Sequence, residues 1–471
     1  MFQPKDIVLL VLDSVRYDAI GANGEGFAKV PFIQSLSEES LSYERAYSPA
    51  PWTVPSHASM FTGVYPTEHE TSHGGRKYLN PEYSTLAEHL KSAGYHTELY
   101  TNNVHLVPEF GFTRGFDDIT RGPLVSNDAD LIDWNEFIAN REHESGISKY
   151  VEILSHVFEN RDKELVESLR RGLEMKAQHH RGDSGAQAAV EHFEKRQDPE
   201  GPTFTFINLM EAHNPFRPPK AFREHEPLEV DGWRYELGER SLSETELGIL
   251  KSLYRGEIEY LDGVVQSLYK MFTDEDTIFI VTSDHGVSLG EHGKLYHGSC
   301  LYDTTVRVPL IIDGVGRSDN VDEPVGIINL YRTLLEMADV EVPPYARGTN
   351  LLDTADDCVL AEMHGTDDWL ERHARENHGE EMERMVSATR RAIICSDKKL
   401  IRNEDAKETE LYNLTEDPTE QHPISGSDYT AHMEEVLDEI VDGFNVRQNI
   451  GGRESLDQEM KQNLQDLGYL K

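Results

Sequence analysis

The run Ile7-Val-Leu-Leu-Val-Leu12, closed by Asp13, constrains the fold more than any other feature of the chain. A segment that short and that apolar reads as a strand buried on both faces, the pattern of a parallel sheet covered by helices. Three further runs repeat it: Thr277-Ile-Phe-Ile-Val-Thr282 ahead of Ser283-Asp284-His285-Gly286, Thr203-Phe-Thr-Phe-Ile-Asn-Leu209 ahead of Glu211-Ala-His213, and the weaker His96 to Thr101 ahead of Asn102-Asn103. Each run delivers polar groups at its carboxyl end, where open α/β sheets bind ligands. One sheet with one active edge is the expectation.

Helical patterns separate the strands, from Ser84 to Ala93 before Gly94, and from Ser243 to Phe272 with apolar residues at mixed three and four spacing. Residues of about 128–196 read as a polar, mainly helical insertion. The turn-rich stretch Val342-Pro-Pro-Tyr-Ala-Arg-Gly-Thr349 marks a boundary. This divides the chain into a catalytic region, 1–350, and a smaller subdomain, 351–471, with strand pieces at Cys358 to Glu362 and Arg391 to Ile401 and a polar helical tail.

Charge narrows the partners. The 471 residues carry 86 acidic against 45 basic side chains, a formal net charge of -41. No basic surplus exists to neutralise a nucleic acid backbone, and an acidic surface with Arg outnumbering Lys is of the kind that suits very salty cytoplasm. Cys300, Cys358 and Cys395 are far apart and lack metal spacing, so buried thiols in a reducing compartment are expected. No stretch reaches the ~18 apolar residues of a membrane span, and no leader pattern precedes Ile7. A cytoplasmic location without membrane partners is expected.

The segment Pro51-Trp-Thr53-Val-Pro55-Ser56-His57 continues through Thr62-Gly63 to Tyr65-Pro66. A Thr ahead of a Pro-containing turn that opens a helix places its hydroxyl at a helix N-terminus, where backbone N–H groups favour an anion. Alone, the segment is better explained by Thr53 or Ser56 simply capping that helix. Asp284 and His285 at one strand end and Asp13 at another change the balance. Three such ligands converging on one edge would hold a divalent cation with a position open for the Thr53 hydroxyl and a substrate.

Through these motifs the chain resembles the sulfatase family of the alkaline phosphatase superfamily, almost end to end. The resemblance runs through Asp13, Pro55-Ser56, Gly94-Tyr95-His96-Thr97, Gly115-Phe116-Asp117, Ser283-Asp284-His285-Gly286 and Leu289-Gly290-Glu291-His292-Gly293. It continues through Val308-Pro309-Leu310, Leu330 to Leu335, Arg347-Gly348, and Glu410 to Leu414 with Asp417-Pro418. It implies an α/β/α sandwich with a large, mostly parallel sheet, a smaller α+β subdomain, and a metal-dependent hydrolase of sulfate or phosphate esters.

The departures from the family pattern shape the expected chemistry. Thr53 stands where main-type sulfatases carry the Cys or Ser that becomes formylglycine, and is similar instead to the nucleophile of related phosphodiesterases and phosphoryl-group transferases. His57 replaces an Arg, Ser14 an Asp, and His297 falls at a substrate-binding Lys position. The resemblance then implies metal ligands Asp13, Thr53, Asp284 and His285. Such an imidazole-containing set suits one Zn or Mn ion better than Ca or Mg; a second site using His213 and His297 stays open. His57, His213 and His297 become the imidazoles for anion binding and leaving-group protonation, with Asn102 beside the substrate and His297 favoured as the acid. A small anionic ester, with a sugar among the admissible alcohols, is the expected substrate. The alternatives are a phosphoryl-group transferase and a non-catalytic binder of anionic glycans.

Overall fold

The computed structural model describes residues 5–21, 26–72, 75, 77–122, 182–197, 199–272, 276–353, 356–424, 426 and 428–444. The strands are β1 (Asp6–Leu12), β2 (Leu41–Tyr47), β3 (His96–Thr101), β4 (Asp118–Arg121), β5 (Thr203–Leu209), β6 (Thr277–Thr282), β7 (Ser288–Leu289), β8 (Leu295–Tyr296), β9 (Arg307–Asp313), β10 (Asn320–Val321), β11 (Val325–Gly326), β12 (Cys358–His364), β13 (Thr389–Cys395), β14 (Lys398–Asn403) and β15 (Glu408–Asn413). The helices are α1 (Tyr17–Ile20), α2 (Pro31–Glu39), α3 (Thr53–Thr62), α4 (Pro66–His69), α5 (Leu86–Ser92), α6 (Ala186–Phe193), α7 (Gly232–Glu236), α8 (Glu244–Phe272), α9 (Asp303–Val306), α10 (Asn329–Met337), α11 (Asp368–His378), α12 (Glu380–Ser387) and α13 (Asp428–Asp442).

The large sheet runs β10-β2-β9-β6-β1-β5-β3-β4, with β11 also on β2. Only β9 is antiparallel to its neighbours, β2 and β6. The four apolar runs singled out in the sequence are therefore consecutive strands, β6-β1-β5-β3, and all four point the same way.

Alternation along each strand builds two cores. Ile7, Leu9 and Val11 of β1, with Phe204, Phe206, Ile278 and Ile280, pack against Ala58, Phe61, Leu90 and Leu334 of α3, α5 and α10. Val8, Leu10 and Leu12, with Ile207, Leu209, Phe279 and Val281, pack against α2, α6 and the long α8. Helices on both faces of one sheet make the α/β/α sandwich. The helix expected from Ser84 begins at Leu86 because Thr85 caps it: its Oγ1 accepts from the Glu88 amide while Glu88 accepts from the Thr85 amide.

The second sheet, β12-β13-β14-β15, is antiparallel throughout. One of its faces packs Val359, Ala361, Ile394 and Tyr412 against Leu301 and Val306; the other packs Leu360, Ile393 and Leu400 against Met433 and Leu437 of α13. Two expectations need correction here. The piece from Arg391 to Ile401 is two strands, turned at Ser396, whose φ of 50° lies in the left-handed region. Cys358 and Cys395 are not thiols but a disulfide, directly opposite each other in the β12–β13 register. Only Cys300 is the expected buried thiol. Sequence spacing hid the pair because the two cysteines are 37 residues apart and meet only through strand pairing.

Of the expected insertion, residues 128–181 lie outside the described residues, as does 445–471 of the C-terminal tail. No helix among the described residues is long and apolar enough to cross a membrane.

Candidate active site

Register aligns the carboxyl ends of the four strands. Val11 pairs with Thr282, Leu12 with Leu209, and Thr101 with Asn208, so Asp13, Asp284, Met210 and Asn103 leave the sheet at one level. The turn after β1 is pinned to the turn after β6. Ser14, at φ 65°, donates its amide to Asp284 Oδ1 (3.1 Å), and Val15 donates to Ser283 Oγ (2.9 Å), which in turn donates to the His285 carbonyl (2.7 Å). Tyr254 of α8 holds the same turn from behind, giving its hydroxyl proton to the Ser14 carbonyl and accepting from the Arg16 amide, both at 2.9 Å.

Asp13, Asp284 and His285 each offer a ligand atom within 4.8 Å of the others. All three are completely buried. Asp13 Oδ1 accepts from Ser14 Oγ (2.8 Å) and Oδ2 from the amide of Asn103 (3.0 Å). Asp284 Oδ1 accepts from two backbone amides, while its Oδ2 has no hydrogen-bond partner and lies 3.4 Å from His285 Nε2. Burial, and then the charge of Asp13, push the Asp284 carboxyl well above the ordinary carboxylate range. His285 Nδ1 faces the Gly286 carbonyl at 2.9 Å, so that nitrogen carries the proton and Nε2 presents a lone pair. Burial lowers this imidazole to about 4, keeping it neutral. A buried, unpaired carboxylate oxygen beside a neutral imidazole nitrogen oriented through its other nitrogen is a donor set that fits a divalent cation.

Helix α3 delivers Thr53 to this cluster. Trp52 is the N-cap residue and makes no side-chain cap bond, so neither Thr53 nor Ser56 caps the helix. Thr53 is its first residue, 3% exposed, with Oγ1 3.3 Å from His285 Nε2. Pro55 falls in the first turn, where a missing N–H costs nothing. Ser56 ties the helix to the cluster, donating to the Asp284 carbonyl at 2.7 Å.

The remaining imidazoles separate into a rim and a floor. His213 and His297 are half-buried and share a proton between their Nε2 atoms at 3.1 Å; His297 also lies 4.6 Å, ring to ring, from His285. His213 Nδ1 is turned to the Asn214 carbonyl at 2.6 Å, leaving its Nε2 as the acceptor of that pair. Gly298 anchors the His297 loop to the chain before α3 by donating to the Pro51 carbonyl (2.9 Å). His57, expected beside the substrate, lies instead beneath the cluster with no exposure, wedged edge-on against Phe61 and Phe206. Its Nδ1 donates to the Thr53 carbonyl (2.9 Å) and lies 3.5 Å from Asp284 Oδ2; burial lowers it to about 4. His57 thus braces Thr53 and Asp284 from behind. Asn102 is also turned away: its amide fills the space where a Cβ on Gly122 or Gly185 would stand. Its neighbour Asn103 reaches Asp13. Ser56 and Ser283 stand in the motifs that carry the family resemblance, and Ser14 at one of its departures, but their part in aligning the turns through side-chain and backbone hydrogen bonds had no signal of its own in the sequence.

A hydroxyl at a helix start, two buried carboxylates and a neutral imidazole meet at the carboxyl edge of a covered parallel sheet, a donor set that fits a divalent cation. Comparison with known proteins gives the family. The Sulfatase family model matches residues 5–340, and the model described as N-sulphoglucosamine sulphohydrolase, C-terminal, matches residues 290–446. The chain belongs to the sulfatase family and is a sulfuric or phosphoric ester hydrolase. It is 25% identical over 460 residues to an arylsulfatase of Clostridium perfringens, covering 88% of this chain and 89% of that one. Its fold is similar to that of a phosphonate monoester hydrolase of Agrobacterium radiobacter (TM-score 0.66, 17% identity, 93% and 95% of the two chains covered). It is also similar to a protein solved with its substrate D-glucosamine-2-N,6-O-disulfate (TM-score 0.61, 16% identity, 93% and 97% covered).

Proposed function

We propose that the chain hydrolyses a small sulfate, phosphate or phosphonate ester through Thr53 and a covalent Thr53 ester, with one divalent cation held by Asp13, Thr53, Asp284 and His285. The observation that carries this reading is the Thr53 hydroxyl, presented by the first residue of a buried helix 3.3 Å from His285 Nε2. The mixed nitrogen and oxygen ligands favour Zn or Mn over Ca or Mg. When bound, the cation supplies positive charge that lowers the pKa of the Thr53 hydroxyl and neutralises a nonbridging ester oxygen.

The chain's own groups account for the remaining steps. Thr53 Oγ1 forms a bond to the central sulfur or phosphorus as the bond to the alcohol oxygen breaks in line. The proton that leaves Thr53 Oγ1 passes through the His213–His297 pair to the leaving alkoxide, with His297 as the acid and His213 on the anion, so the pair ends as it began. Water then attacks the Thr53 ester, releasing the inorganic anion and restoring the hydroxyl. The hydroxyl of Thr cannot take the formylglycine route, and this favours phosphate or phosphonate; the arylsulfatase relative favours a sulfate ester, and the sugar-disulfate neighbour favours a sulfated sugar.

The test is Thr53→Ala assayed on chromogenic sulfate monoesters, phosphate mono- and diesters and phosphonate esters, each with Zn, Mn, Mg and Ca. Turnover should fall by on the order of 10⁴ or more, as when other enzyme nucleophiles are removed, with the circular dichroism spectrum unchanged. Wild-type-like turnover in the folded variant would sink the Thr53 mechanism. Product transferred to an added alcohol in preference to water would make the enzyme a transferase.

A further inference from the structure

A second group of ligands lies away from the Asp13 cluster. The side chains of Glu239, His373 and His378 bring an oxygen and two imidazole nitrogens within 4.8 Å of one another. Glu239 Oε1 lies 2.6 Å from His373 Nε2 and 3.0 Å from His378 Nε2, although 134 and 139 residues separate it from them. Its other oxygen, Oε2, is turned toward Arg234 at 4.0 Å. His373 lies in the middle of α11 and His378 is its last residue, before the helix stops at Gly379, φ 93°. The site has an aromatic wall on one side, where Trp233 of α7 packs edge-on against the His373 ring (4.9 Å) and against Trp369 (5.4 Å); His373 is half-buried, while Glu239 and His378 are exposed.

We propose that Glu239, His373 and His378 form a binding site for a zinc-class divalent cation, separate from the catalytic cluster. Two imidazoles and one carboxylate are a standard zinc set, with bonds of ~2.0–2.2 Å; an ion among these three atoms keeps a fourth position for water. The site has a structural consequence. Helix α11 lies between β12 and β13 in sequence, whereas Glu239 follows α7, and α7 braces the loop that carries His297. Glu236 of α7 accepts from Ser299 Oγ (2.7 Å), the Leu295 amide (3.3 Å) and Lys294 Nζ (3.2 Å). The ion would fasten α11 to the segment that holds one rim of the active site.

The experiment counts zinc. Full-length wild type, H373Q/H378Q, D13N/D284N and the quadruple variant are equilibrated with Zn²⁺, freed of excess, and measured by elemental analysis. The wild type should hold one more ion per chain than H373Q/H378Q, and D13N/D284N one more than the quadruple variant. Cobalt substitution of D13N/D284N should give the strong visible absorption of a tetrahedral site. If D13N/D284N does not fold, the first comparison decides alone. Equal zinc with and without the histidine pair overturns the proposal, leaving a hydrogen-bonded His–Glu–His cluster. Because the catalytic ligands are untouched in H373Q/H378Q, this outcome is independent of the Thr53 mechanism.

Discussion

Asn103 shows how a single amide can tune a ligand it does not replace. Its Nδ2 donates to Asp13 Oδ2 at 3.0 Å, while its own backbone amide is fixed by Thr101 Oγ1 at 2.9 Å and its Oδ1 accepts from the His105 amide at 2.9 Å. Partners of this kind orient a carboxylate, and losing one typically costs 10–100-fold in metal affinity. Asn103→Leu should therefore weaken binding of the catalytic cation by about that factor while Asn102→Leu does not, measured by titration of metal-free protein. Equal effects would remove Asn103 from the site. The sequence left both asparagines near the active edge, yet strand alternation separates them. Tyr100 faces the core under α6 and Leu99 the core under α3, so Asn102 continues on the Tyr100 side, against Gly185. The period-two pattern was readable. What was not readable was that it persists past the last residue of β3.

At the scale of elements, the end of β5 and the start of α6 share a buried acid. Glu211 is 1% exposed and accepts from the Ala186 amide at 2.6 Å. Burial first, then the neighbouring Asp183 carboxylate, push it up to about 8. Glu257 of α8 is also pushed well above its ordinary range by burial. Between an ordinary value near 4.5 and about 8, the folded state keeps a proton that the unfolded chain has released, so stability falls as pH rises through that window. Glu211→Gln keeps the acceptor for Ala186 without the titration. Urea midpoints from pH 5 to 9 should decline in the wild type and decline less in the variant. The gap should reach about 1–4 kcal/mol by pH 8, since a tenfold difference in proton affinity between the folded and unfolded states corresponds to ~1.4 kcal/mol. Parallel curves would show that Glu211 does not titrate there.

The same scale explains which elements could be read in advance. Strands β1, β3, β5 and β6 were legible because each is a run ending in polar residues. Strands β2 and β9 were not: their pairing shifts register between Tyr43 and Ala46, where Pro309 sits and interrupts any alternation. The cluster of Asp13, Asp284 and His285 was legible because each follows closely on the end of a strand run. The inward turn of His57 was not, since a helix position alone does not say which side chain the core will claim.

Across the whole molecule, excess negative charge sets how stability responds to salt. A net charge of -41 over 471 residues destabilises the compact state through self-repulsion, and no binding partner is needed to relieve it if salt is present. The Debye length falls from ~10 Å at 0.1 M to ~3 Å at 1 M, so repulsion between surface carboxylates several residues apart disappears over that range. Surface ion pairs such as Lys77–Asp367 and Lys91–Asp117 are weakened by the same screening, but each is worth only ~0–1 kcal/mol and the acids exceed the bases available to pair with them. The thermal midpoint should therefore rise between 0.1 M and 2 M KCl, a salt chosen because it lacks the strong exclusion effects of sulfate. A rise that ends near 0.3 M would mark an ordinary acidic protein relieved of long-range repulsion. A rise that continues beyond 1 M, where screening is complete, would require cation hydration by the acidic surface and mark a chain built for molar salt. A flat or falling midpoint would mean that the paired charges outweigh the excess ones.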